Sequence, residues 1–356
     1  MSIAFEPYFM GEKTLANRIA MAPMTRSRAH GPGATPTELM ATYYAQRASA
    51  GLIITEGIQP SLVGQGYPDT PGLHSAEQVE AWRKVTEAVH REGGVIYAQL
   101  MHTGRVGHAD LLPGELIPVG PSAVAAEGQV YTHAGPQPFP TPKELSADEI
   151  TATIADFAQA ARNAVAAGFD GVEIHGANGY LIHQFLSTNA NQRTDGWGGS
   201  ASGRIRFGVE VAAAVAEAIG ADRVGFRVSP ANPFNDIVED DLELTYKGLV
   251  AGLADVGLAY LHVMEAPGQR PLTLSLRGDW PNTLILNPFT GMEPTGPSEL
   301  TLLEDGTADL IAFGALFLAN PDLPARLAAG GPFNTPDRAT SFGGDHRGYT
   351  DYPTLN

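Results

Sequence analysis

Residues 146–184 read SADEITATIADFAQAARNAVAAGFDGVEIHGANGYLIHQ, and they decide the fold class. Ser146 and Glu149 have the spacing of a capping box, and Ile150, Ile154, Phe157, Ala161 and Val165 then recur at helical spacing. The pattern predicts a helix from Ser146 to Ala167. A glycine turn follows, then the short apolar run Gly171–His175, which has the length of a buried parallel strand. His175, Asn178, Tyr180, His183 and Gln184 crowd the stretch just past that strand.

The same unit recurs outward in both directions. Seven further apolar runs are Arg18–Met24, Gly51–Glu56, Val95–Met101, Val224–Ser229, Ala259–Met264, Thr283–Leu286 and Leu310–Gly314. Helical patterns lie between them at Glu38–Ala50, Ala76–Arg91, Gly203–Ile219 and Asp240–Asp255. Eight strands alternating with helices over 356 residues predict an α/β chain, a single (β/α)8 barrel spanning residues 1–356. Two stretches read as excursions from it. The Pro- and Gly-rich segment Leu111–Lys143 follows the third strand and is placed over the barrel mouth, and Ala266–Pro281 follows the sixth.

Composition narrows the chemistry. With 22 basic and 39 acidic residues the net charge is −17, which opposes binding to nucleic acid or to an anionic membrane. The chain has no cysteine, so thiol nucleophiles, iron–sulfur clusters, thiolate-bound zinc and disulfides are excluded. Its lysines are Lys13, Lys84, Lys143 and Lys247, none at a strand end, which argues against Schiff-base chemistry. The start lacks the basic and apolar regions of a signal peptide, and no apolar run approaches the roughly 20 residues of a membrane span. The expectation is a cytoplasmic protein, monomeric or homodimeric, acting on small molecules.

Active sites of such barrels gather at the C-terminal strand ends. Reading those ends gives Thr25, Glu56-Gly57, Gln99, His102, His175, Arg227, Glu265, Asn287 and Gly314. His175 and Asn178 could offer two hydrogen-bond donors to one oxygen, with Tyr180 supplying a proton; a polar strand–helix junction satisfying its own backbone is the plainer alternative. Glu173, His175 and His183 are the one candidate metal set, but the His-x-His of metal-dependent barrel hydrolases is missing, so no metal is expected. Arg227, inside an apolar strand, requires an anion: either a carboxylate such as Glu173 or a charged ligand. The Gly196, Gly198, Ala201 match to a dinucleotide fingerprint follows no strand and is dismissed.

The segments NRIAMAPMTRSR (17–28), GLIITEGIQPS (51–61), GQGYPDTPGLHS (64–75), QLMHTGR (99–105), GFDGVEIHGANGYLIHQFLS (168–187), NQRTDGWGGS (191–200), FLANPDLPARL (317–327) and GYTDYPTL (348–355) resemble the old yellow enzyme family. These are FMN-dependent ene-reductases of the N-ethylmaleimide reductase type, and the resemblance runs in order along nearly the whole chain. It implies an FMN-binding barrel that takes hydride from NAD(P)H and passes it to the β-carbon of an activated alkene. Pro23, Met24, Thr25 and Gly57 would then line the flavin ring, with Thr25 on O4 and with Gln99 and Arg227 on the pyrimidine side. His175 and Asn178 would grip the substrate oxygen, Tyr180 would protonate the α-carbon, Tyr67 and Met101 would shape the pocket, and Phe342 would lie at its edge. The resemblance also implies a phosphate site at Gly314 and Ala315. There the family carries an arginine, and it carries a glycine pair where this chain has Leu286-Asn287-Pro288-Phe289. Arg270 and Arg277 are the candidate replacements. A barrel of the same family that uses a deazaflavin, or holds flavin weakly, is the rival expectation; a metal-dependent hydrolase or a non-catalytic binding protein is the third.

Overall fold

The computed structural model describes residues 2–355. Eight parallel strands close into a barrel: β1 (Ile19–Met21), β2 (Leu52–Ile58), β3 (Ile96–Leu100), β4 (Gly171–Gly176), β5 (Val224–Val228), β6 (Tyr260–Met264), β7 (Thr283–Asn287) and β8 (Leu310–Phe313). β8 pairs back onto β1 through Ile311 opposite Ile19 and Phe313 opposite Met21. β1 is shorter than its sequence run because Pro23 has no N–H for the ladder; the last bond is Ala22 N–H to the Phe313 carbonyl at 3.0 Å.

Helices α1 (Glu38–Ala45), α2 (Ala76–Arg91), α3 (Ala147–Ala166), α4 (Leu181–Leu186), α5 (Ala201–Ile219), α6 (Leu242–Val256), α7 (Arg270–Asp279), α8 (Thr301–Glu304), α9 (Ala315–Ala319) and α10 (Leu323–Ala329) follow in chain order. The capping box of α3 is formed: Ser146 Oγ accepts from Glu149 N at 3.2 Å, and Ser146 N donates to Glu149 Oε2 at 2.9 Å. Such a cap contributes about 1 kcal/mol.

Two apolar clusters follow from the twofold alternation of the strands. Side chains facing outward, such as Ile53, Val172, Phe226 and Ile311, pack under the helices. Those facing inward, including Leu52, Ile54, Tyr97, Tyr260, Ile285 and Leu310, fill the barrel, and its lower opening is closed by Met10 and Leu15 from the antiparallel pair Tyr8–Met10 and Lys13–Leu15. Continuing the inward alternation upward brings Gln99, Glu173, Arg227 and His262 to one level, then Met101 and His175 above them. The fold therefore changes from apolar filling to polar side chains within two residues on β3, β5, β6 and β7.

The excursion after β3 is present. It carries the hairpin Gln129–Thr132 with Gly135–Pro138, and a short parallel pair, Val119–Gly120 with Lys143–Glu144, anchors it. The segment Ala266–Pro281, expected as a second excursion, is instead the ordinary barrel helix α7 that follows β6. Gly278 and Pro271, the latter in the first turn where it costs no hydrogen bond, with Pro267 and Pro281 flanking the helix, obscure its helical period in the sequence.

Candidate active site

A cavity of about 850 Å³ opens at the C-terminal strand ends. Pro23, Met24, Thr25 and Gly57 line it from β1 and β2, and Gln99 and Met101 from β3. His175, Asn178 and Tyr180 enter from the β4 end, Arg227 from β5, Gly314 and Ala315 from the β8 end, and Tyr67 from the loop after β2. These sequence-predicted residues meet in one space, whereas Glu56, His102, Glu265 and Asn287, also read at the strand ends, do not line it. Phe342 stands at its rim, 69% exposed.

The donor group past β4 is held from behind. Asn178 adopts a left-handed backbone, with φ of 56°. Its N–H donates to Ser229 Oγ at 2.8 Å, its carbonyl accepts from Asn235 Nδ2 at 2.7 Å, and its side-chain Oδ1 accepts from Asn232 Nδ2 at 3.1 Å. With Oδ1 taken by Asn232, the amide can turn only its Nδ2 donors to the cavity. Gly179 (φ 77°) completes the turn; a Cβ there would stand 2.4 Å from the Phe234 carbonyl oxygen, so only glycine fits. Gly179 N–H donates to His183 Nδ1 at 3.0 Å, and His183 Nε2 lies 3.2 Å from both Tyr246 Oη and Glu239 Oε1. His183 is therefore a support for the turn.

His175 is buried and its pKa is held well below the ordinary imidazole value, first by burial and then by the charge of Arg227. Its neutral ring has one N–H to give, and its Nδ1 has no partner in the chain. The Tyr180 hydroxyl donates to the Tyr67 hydroxyl at 3.1 Å, and the two rings meet edge to face. Burial, joined by the Tyr67 hydroxyl, pushes the Tyr180 pKa well above the usual phenol value, so it keeps its proton at neutral pH.

The level below is a hydrogen-bonded network in which His262 Nε2 is left without a partner. Glu173 accepts from Gln99 Nε2 and faces His262 Nδ1, each at 2.8 Å. Arg227 does not pair with Glu173; its Nη2 donates to Asn287 Oδ1 at 3.2 Å, and its buried Nε has no partner. Of the two sequence readings for Arg227, an open position toward a ligand is the one this geometry favours. Glu173, His175 and His183 do not converge, and among the described residues no group of three His, Asp or Glu side chains could hold a metal ion.

Behind Thr25 the wall is charged but satisfied. Burial raises the Glu56 carboxyl to about 7, against the lowering effect of the Arg26 N–H and the Tyr44 hydroxyl. The Arg26 guanidinium donates to the carbonyls of Thr340, Ser341 and Gly348, pinning the C-terminal segment that carries Phe342. Arg26, Tyr131, Phe234 and Asn235 also line the cavity and were not singled out from the sequence, nor was Asn232 behind it. The Asn-Pro-Phe-Asn loop 232–235, close after Arg227, was the available signal for Asn232 and Asn235. At the strand 6–8 end, neither candidate arginine lines the cavity. Arg270 is paired with Glu265, and Arg277 is paired with Asp309 and the Asn282 carbonyl at the opposite face of the barrel.

Comparison with known proteins shows the family of the chain. The sequence profile of the NADH:flavin oxidoreductase / NADH oxidase family matches residues 4–334. A probable flavin mononucleotide-dependent alkene reductase of Leishmania infantum is 42% identical, the alignment covering 100% of this chain and 98% of that protein. 12-Oxophytodienoate reductase 1 of Oryza sativa subsp. japonica is 41% identical over 98% of this chain and 92% of its own. The structure of morphinone reductase in complex with tetrahydroNAD superposes with a TM-score of 0.93 at 43% identity, covering 99% and 98% of the two chains. No helix among the described residues is long and apolar enough to cross a membrane.

Proposed function

The chain belongs to the NADH:flavin oxidoreductase / NADH oxidase family, the old yellow enzyme family of FMN-dependent alkene reductases, and on that premise we propose that it reduces the C=C bond of α,β-unsaturated carbonyl or nitro compounds with a nicotinamide as reductant. The observation that carries this reading is the convergence of a neutral His175, an amide-donating Asn178 and a proton-bearing Tyr180 in one cavity.

The ring side of the cavity fits a flavin. The polar side chains of Gln99, His175, Asn178 and Arg227 line this part of the cavity, a donor set suited to the polar edge of a flavin. Pro23, Met24, Thr25 and Gly57 would hold one side of the ring, and Gln99 and Arg227 its pyrimidine edge. When bound, the reduced flavin supplies the hydride for the alkene.

His175 and Asn178 supply two hydrogen bonds to the substrate's carbonyl or nitro oxygen, where negative charge develops, and so draw electron density from the β-carbon. Because both donors are positioned before substrate arrives, they cost little reorganisation at the moment of reaction. Tyr180 gives its proton to the α-carbon. Its raised pKa keeps the acid form available, and Tyr67, 3.1 Å away, is placed to return a proton afterwards. Tyr67 and Met101 bound the substrate space, with Tyr131, Phe234 and Phe342 as an aromatic rim.

The test is transient kinetics of the two half-reactions. Tyr180→Phe is expected to slow alkene reduction far more than flavin reduction by NAD(P)H. Equal losses in both would remove Tyr180 from the proton-donor role.

A further inference from the structure

Barrels of this kind commonly hold a phosphate between the loops after strands seven and eight and the start of a short extra helix. In this chain the loop after β7 is tied instead into a network of the protein's own at the neighbouring β6 end. After β7 comes Asn287-Pro288-Phe289, and Pro288 has no N–H to donate. Phe289 N–H is spent on Glu265 Oε2 at 3.2 Å. The same buried carboxylate accepts Arg270 Nε at 2.6 Å and Nη2 at 2.9 Å, and Thr273 Oγ1 at 3.0 Å. A guanidinium, a hydroxyl and a backbone amide thus surround an internal anion, the arrangement that would otherwise receive an external one.

After β8 the corner is uncharged. Helix α9 opens with Gly314-Ala315-Leu316, and Arg47, which reaches this helix, gives Nε and Nη2 to the Phe317 and Leu318 carbonyls. The cavity lining contains two arginines and no lysine. Arg26 is saturated by three carbonyls and the Tyr43 hydroxyl, and Arg227 stands on β5 beside the partnerless His175. A phosphate dianion at the β7–β8 corner would therefore lose its water without gaining a guanidinium partner, whereas the ring side offers donors with nothing yet to bind.

We propose that this cavity takes its flavin by the ring and not by the phosphate, so that riboflavin and FMN bind with dissociation constants within about threefold of each other. The inference rests on the flavin reading above and specifies which part of the cofactor is recognised. It is tested by titrating cofactor-stripped protein with riboflavin and with FMN, following quenching of flavin fluorescence at low and high salt. The expected ratio is close to one and changes little with salt. Ala315→Arg is expected to tighten FMN by about tenfold or more and leave riboflavin unchanged. FMN binding about ten or more times tighter than riboflavin in the unmodified protein overturns the inference and leaves the flavin reading standing. If neither flavin binds, the inference and the flavin reading fall together. If Ala315→Arg folds and gains no preference for FMN, the placement of the phosphate end at this corner is wrong. If that variant does not fold, the ratio in the unmodified protein decides.

Discussion

At the strand 4–5 end of the cavity Asn178 is tied down through its N–H, its carbonyl and its Oδ1, while its Nδ2 and the neighbouring His175 Nδ1 are left without partners. At the strand 6–8 end Glu265 is ringed by donors from Arg270, Thr273 and Phe289, so that its charge is consumed within the protein. Both ends are built from buried polar groups on the same barrel. They differ in what is left over. Donors that line a cavity and are held in place by the chain can be met by a ligand without reorganisation. A site that has closed its own network has nothing to offer. What separates the two ends is that the polar side chains of one line the cavity while those of the other are turned on each other.

The comparison can be broken most directly at the open end. Tyr180→Phe is expected to lower the rate of alkene reduction by about 10²–10⁴-fold, the usual worth of a positioned acid, while shifting the melting temperature by no more than about 2 °C. A large loss of stability would place Tyr180 in the scaffold. The wall behind Thr25 supplies the next effect. Glu56 has its folded pKa raised from 4.5 to about 7 by burial, so its contribution to stability is fully present below about pH 4.5 and is lost as the pH rises through about 7. The difference amounts to roughly 3 kcal/mol. Urea denaturation between pH 5 and 8 should show this loss, and Glu56→Gln should flatten it; an unchanged slope would mean that Glu56 titrates as an ordinary carboxyl.

Arg270→Ala probes the closed end. It leaves Glu265 with two of its donors and should cost about 2 kcal/mol in unfolding free energy. If stability is unaffected, the Glu265 network is not the self-satisfied lock described above. The smallest effect expected is at Asn232, which touches Asn178 from behind. Asn232→Ala frees the amide to rotate and should slow alkene reduction about tenfold, the equivalent of one hydrogen bond, with flavin reduction unchanged. A matching loss in flavin reduction would show that Asn232 supports the whole cavity and not this donor alone.

Much of the barrel was legible in the chain because its signals are local. A capping box, an apolar stripe at helical spacing and short strand-length runs are set by neighbours within a few residues, and so α3 and β4 could be read directly from residues 146–176. The reading failed where that local signal was disguised, as in α7, whose Pro271 and Gly278 resemble a loop. The residues of the open end were also legible, because polar side chains in an otherwise apolar run are conspicuous. Their supports were not. Asn232 and Asn235 lie more than fifty residues from Asn178, and the loop that holds them signals a strand-end turn without pointing to Asn178.

From its sequence alone this protein was determined to be an α/β barrel with His175, Asn178, Tyr180, Gln99 and Arg227 at the strand ends, since twofold alternation and strand length place those side chains without reference to the rest of the chain. Only the tertiary structure decided that Arg227 reaches Asn287 and leaves Glu173 to Gln99 and His262, that Asn232 turns the Asn178 amide, and that Glu265 occupies Arg270. Each of these is a choice among several chemically equivalent partners. Which one wins depends on strand register and on closure of the barrel between β8 and β1, and those are set by the packing of all eight strands together.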